Sequence, residues 1–229
     1  MNLLLFEWKL IMRNRRLKQQ FMIALFFPLM LYMQFAASPL INEVFLIKEV
    51  FLWVVIILPA AYFAPLTFGI MAPFLEKQMT MPLNIFDILL AKYRFHCIVA
   101  LYLFIFLLPS LFFGILVMEL VSALFFGVGV TYFCLFYLSL FSCKSYDIKQ
   151  TAFYNWQGMS AASYIFPVIV ILAVGIMALL HRFFGENITL TVMLIVGLAF
   201  MATHGIWLKL IAREFEKTKH DRMERFREK

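Results

Sequence analysis

Charge is what this sequence has least of. Only 14% of its 229 residues are Asp, Glu, Lys or Arg, while 64% are hydrophobic and the mean hydropathy is +0.91. Soluble domains carry about 25% charged and roughly 45–50% apolar residues. No water-soluble core of this length could absorb such an excess, so the chain reads as an integral membrane protein. Strict apolar–polar alternation is missing as well, which excludes a strand barrel. The opening stretch MNLLLFEWKLIMRNRRLKQQ sets its basic cluster after the apolar residues, the reverse of a secretory signal peptide, and none is expected. The cysteines, Cys97, Cys134 and Cys143, show no paired spacing. They read as small hydrophobes in a reducing compartment.

Chemistry-bearing motifs are equally scarce. There is no Gly-x-x-x-x-Gly-Lys-[Ser/Thr] loop to wrap phosphates in backbone N–H groups, no Gly-x-Ser-x-Gly elbow and no His-Glu-x-x-His metal pair. Carboxylates paired at a water interface are missing too. Catalysis by this chain alone is therefore not expected, and neither is a metal or cofactor within it. The net charge of +7 would suggest nucleic acid, but the basic residues fall in loops and ends, so no nucleic-acid partner is expected.

What the sequence does have is long apolar runs rich in Phe. A spanning helix needs about 20 mostly apolar residues, and six segments qualify: Phe21 to Ala37, Val50 to Leu75, Ile98 to Val117, Val121 to Phe141, Ser160 to Leu180 and Ile188 to Leu208. The expected fold is all-α and polytopic, with six transmembrane helices and both termini cytosolic. Pro59, Pro65 and Pro73 predict a kinked second span. With both ends inside, 18 of the 20 basic residues are cytosolic, leaving only Lys48 and Arg182 outside, as the positive-inside rule demands. The outer loops are Ser38 to Glu49, a few residues around Glu119, and His181 to Asn187, too short for an external domain. Asn187-Ile188-Thr189 matches a glycosylation acceptor but abuts a span and reads as chance. No Asp, Glu, Lys or Arg lies within the spans so bounded. Ion-driven transporters need such charges, so any energy is expected from a partner gripping the cytosolic face. His204 falls inside the sixth span, where a hydrogen-bonded packing role is expected.

The cytosolic segments hold more than topology requires. Residues 1–18 place Leu4, Leu5, Trp8, Ile11 and Met12 at helical spacing. This predicts an amphipathic helix in the headgroup plane, with Trp8 at the interface and Arg13, Arg15 and Arg16 on anionic lipid. The segment EKQMTMPLNIFDILLAKY, residues 76–93, closes the second span with a polar turn and breaks at Pro82. It then restarts a helix with Asn84 as N-cap and Asp87 at the positive dipole end, while Lys92 faces water. Asn155, Trp156, Gln157 and Gly158 put two amides and an amphipathic ring at the start of the fifth span. Residues 212–229 form a charged, partly helical extension, bound to the membrane surface or to a partner. The domain plan is thus an interfacial helix over 1–18, a transmembrane domain over 19–211 with a corner at 76–93, and a tail over 212–229.

This layout resembles an ABC-2-type permease, the membrane subunit of an ATP-binding-cassette exporter. The corner carries that likeness, with an acid–base turn at Glu76 and Lys77, then Met79, Pro82, Asn84, Asp87 and Lys92. More narrowly, AFYNWQG and the tail IWLKLIAREFEKTKHDRMERFREK look like an uncharacterised bacterial branch of such permeases, usually double-length. The resemblance implies that the corner is a coupling helix pressed by ABC ATPase subunits, which would hold the ATP and Mg. It also implies a second permease copy or a sister subunit, membrane lipids as further partners, and a bacterial cytoplasmic (inner) membrane location. The other reading is a non-transporting scaffold that recruits a cytosolic partner through the same corner and tail.

Overall fold

The computed structural model describes residues 3–36, 45–72, 84–113, 115–141 and 161–227, and every regular element among them is helical. Helix α1 spans Leu3–Arg13. It stops at Asn14, whose side-chain amide donates to the Leu10 carbonyl at 2.6 Å and so competes with the helical ladder. Helix α2, Arg15–Ala36, starts at once and contains Pro28. Its buried stripe is Leu17, Phe21, Ala24, Leu29 and Tyr32, with Met22, Ile23, Phe26, Phe27 and Met30 exposed on the other side. A helix whose outer face is also apolar is suited to lipid rather than water.

Helix α3, Phe45–Phe63, is the hub of the bundle. Leu52, Trp53, Val55, Ile56, Ile57, Ala60 and Phe63 are all buried, covering more than half of the helix circumference as a central element does. The expected kink is found at Pro65, which supplies no N–H and crowds the preceding turn. Here the ladder tightens, with Leu66 N–H donating to Phe63 O and Thr67 N–H to Ala64 O, both at 3.2 Å. Helix then resumes to Ala72, and Phe45–Ala72 is long and apolar enough to cross a membrane.

Helix α4 covers Ile85–Leu107 and tightens into a 3-10 turn at Leu108–Phe113. Leu89, Tyr93, His96, Ala100, Leu103 and Leu107 are buried, an i, i+3, i+4 stripe. Helix α5, Val117–Phe126, passes through a π-turn at Gly127–Thr131 into α6, Tyr132–Leu138. A Cβ placed on Gly129 would run into the backbone of Gly197, and one on Gly197 into that of Phe125. The π-turn and the paired glycines therefore let two helices touch backbone to backbone. Nearby, the Trp53 indole donates to Thr131 Oγ1 at 2.9 Å, fixing α3 to the same turn.

Helix α7, Ala161–Phe184, joins α8, Glu186–Ala202, through Gly185 alone, whose φ of 80° is open to glycine at little cost. The outer loop expected over residues 181–187 is thus nearly all helix. The acceptor triplet lies within α8, where Thr189 is buried and donates to Gly185 O at 2.8 Å. Helix α9, His204–Arg227, follows a 59° bend, so the sixth span expected over Ile188 to Leu208 is broken at Thr203. The reason is tertiary: Trp207 Nε1 reaches back to Phe200 O at 3.0 Å, and the His204 ring stacks on Tyr93 with centroids 5.1 Å apart. Among the described residues, four helices are long and apolar enough to cross a membrane, or five if the bent α8–α9 pair is one span. The molecule is an all-helical protein with the makings of a membrane bundle.

Candidate functional site

Two ends of the bundle carry polar chemistry, and α4 runs from one to the other. At the end where α4 begins, Asn84 has extended backbone and its side chain accepts the Phe86 N–H at 3.0 Å, with Asp87 in the first turn. The expected cap is there. Phe86 lies under Lys209 of α9, 5.6 Å from ammonium to ring centroid, and a shallow cleft of about 290 Å³ opens between Asn84, Phe86, Lys209, Arg213 and Glu216. The first half of α9 is packed down on the chain itself, since Phe215 is fully buried and stacks on Phe68 at 4.0 Å. Glu76, Lys77, Met79 and Pro82 lie outside the described residues, as do Asn155, Trp156, Gln157 and Gly158.

Lys92 departs from expectation. It is 6% exposed and pairs with Glu7 at 2.7 Å, with both side chains buried. Lys92 shares the inward stripe with Leu89 and His96, one turn to either side, so it points at α1 rather than at water. Glu7 is buried with Ile11 on the inner face of α1, while Leu5, Phe6 and Trp8 are exposed. The outer side of α1 thus mixes Leu5, Phe6 and Trp8 with Lys9 and Arg13. Trp8 meets Phe21 and Phe95 with centroids 6.4 Å apart, while Arg13 and Arg15 are exposed. Arg16, expected among headgroups, is 2% exposed, because it shares the face of α2 that carries Leu17 and Gln20. A cavity of about 20 Å³, room for one water, lies among Glu7, Lys92, Thr67 and His96.

The far end of the bundle overturns a larger expectation. The spanning helices start before the boundaries set by hydropathy, and they take charged residues inside. Lys48 lies in the first turn of α3 with Glu49 directly after it, and Glu119 lies in the first turn of α5. Their exposures are 8%, 1% and 0%. Lys48 forms an ion pair with Glu119. Glu119 Oε2 also accepts the Leu116 N–H at 2.7 Å, satisfying an orphan donor at the helix start. Ser122 Oγ lies 2.8 Å from Glu49 Oε1 and 2.9 Å from Glu119 O. Among the described residues, Glu49 Oε2 has no hydrogen-bond partner. Lys48 is therefore not in an outer loop, and the premise that the spans are uncharged does not hold.

Sequence reasoning missed Glu7, Lys48, Glu49 and Glu119 as partners. The signals were local spacings: Glu7 four residues before Ile11, and Glu119 three before Ser122, each putting the acid on an inward helical face.

Residues 2–229 match the model of a family of unknown function, DUF5687. No curated protein and no solved structure matches the chain. The match takes in nearly the whole sequence, and the chain belongs to that family.

Proposed function

From that membership, which assigns no activity, we propose that the chain is the membrane-spanning permease subunit of an ABC exporter, driven by a separate ATPase. In this reading α2 is the first of six spans, and the bent α8–α9 pair is the last. Both termini and the 76–93 corner face the cytosol of a bacterial inner membrane. The observation that carries the reading is the gathering of α1, the start of α4 and α9 at one end of the bundle. The Glu7–Lys92 pair and the Phe68–Phe215 stack tie these elements to the spanning helices. A motor pressing there acts on α3 and α4 together, because α1 is fastened to α4 and α9 to the distal part of α3. ATP and Mg belong to the ATPase, and a second permease copy or sister subunit completes the pathway across the membrane.

The test is co-purification with an ATPase encoded beside this chain, followed by turnover in vesicles. Asp87→Lys and Glu76→Lys are expected to weaken ATPase association and uncouple its turnover. Unchanged association and turnover would refute the coupling role.

A second reading is favoured by one observation. Lys48, Glu49 and Glu119 supply the intramembrane charges that gradient-driven carriers use. Uptake that follows an imposed ion gradient and ignores ATP would replace the first reading with this one.

A further inference from the structure

We propose that Glu49 holds one small monovalent cation, a proton or a sodium-sized ion, at the buried junction of α3, α5 and α8. The argument is a charge count in a closed space. The groups facing Glu49 are Lys48 on its own helix, Glu119 and Ser122 from α5, and Glu186 from the start of α8. Lys48 is the one cation of that set, and Glu119 already takes it. Glu119 spends its second oxygen on the Leu116 N–H. Among the described residues, Glu49 Oε1 is met by the neutral Ser122 hydroxyl and Oε2 has no hydrogen-bond partner, at 1% exposure. A carboxylate this buried and unneutralised is strongly disfavoured.

The surroundings point the same way. The hydroxyls of Tyr32 and Ser110 lie beside one another, buried and without a hydrogen bond of good geometry, within reach of the Glu119 charge. They are neutral groups beside Glu119 and bring no positive charge to the cluster. A multivalent metal does not fit, since no group of three or more His, Cys, Asp or Glu among the described residues could hold one. One positive charge on Glu49 balances its carboxylate, and a proton or a single alkali ion supplies it. The site is independent of what drives the protein, so it stands or falls apart from the ATPase reading.

The experiment is thermal unfolding of the purified full chain in detergent, at fixed ionic strength, with sodium, lithium, potassium or choline as chloride. It is paired with infrared spectroscopy of the buried carboxyl C=O stretch. Glu49→Gln replaces a neutralised carboxyl by a neutral amide, so it is expected to fold and, in choline chloride, to unfold no lower than the wild type. Glu119→Gln is expected to unfold several degrees lower, because Lys48 loses its partner. A protonated-carboxyl band present in the wild type and absent in Glu49→Gln, with no sodium or lithium effect, identifies the proton. Stabilisation that grows with sodium or lithium concentration, absent in Glu49→Gln and without the band, identifies the ion. Neither band nor cation effect, or a Glu49→Gln protein destabilised as much as Glu119→Gln, overturns the proposal.

Discussion

Two buried ion-pair clusters among the described residues are built differently. At the α1–α4 end, one lysine meets one carboxylate, Lys92 with Glu7. At the far end, one lysine meets two, with Lys48 engaged by Glu119 while Glu49 stands beside them. A balanced pair is a joint: it fixes which residues meet, and its net contribution to stability can be small, because desolvation offsets attraction. An unbalanced group has a charge left over, which must be answered by a ligand or by protonation. Burial and residue type are alike at the two ends, so stoichiometry is what separates a fastening from a site.

That contrast can be broken by mutation, and the largest effect is expected at the far end. Glu119→Ala removes the partner of a buried lysine and also the cap on Leu116 N–H. The expected loss is about 3–5 kcal/mol, read by thermal or denaturant unfolding in detergent. Next comes Glu7→Ala, which strands Lys92 without touching a cap, at about 3 kcal/mol. Pairing it with Lys92→Met is expected to restore most of that loss, since apolar residues can replace a balanced pair. Equal rescue of Glu119→Ala by Lys48→Met would erase the distinction between the two ends. Asn84→Ala tests a polar group outside both clusters and is expected to cost about 1 kcal/mol, the usual value of an N-cap. The smallest effect belongs to the third ion pair, Lys217 with Glu214 on α9, whose side chains are 67% and 52% exposed. Lys217→Ala is expected to leave the unfolding temperature unchanged, as exposed pairs contribute little.

The same contrast explains what could be read from the sequence. Asn84 was legible as a cap and Pro65 as a break because both act through their own backbone neighbourhood. The helix over residues 3–13 was legible from its periodicity, although the inward side that Glu7, and Arg16 on α2, would face was not. Lys48, Glu49 and Glu119 were trimmed off the spans because hydropathy scores each residue alone. Lys48 and Glu119 neutralise each other across a long stretch of chain, and Glu49 meets its hydroxyl partner Ser122 from the same distant helix. Lys92 was set facing water for the same reason, since its partner lies on another helix. The bend at Thr203 was hidden because Trp207 and Tyr93 impose it through tertiary contacts, with no proline nearby to announce it.

The glycine crossing has a mechanical meaning. Where Gly129 meets Gly197 and Gly197 meets Phe125, a Cβ would strike backbone, so the α5–α6 rod and α8 close on each other more tightly than side chains would allow. One arm of the rod carries Glu119 and Ser122, and the other carries Phe133, whose ring lies against Phe200 and Trp207 near the bend. Bulk added at either glycine would therefore wedge the rod away from α8, disturbing the charged end and the bent end together.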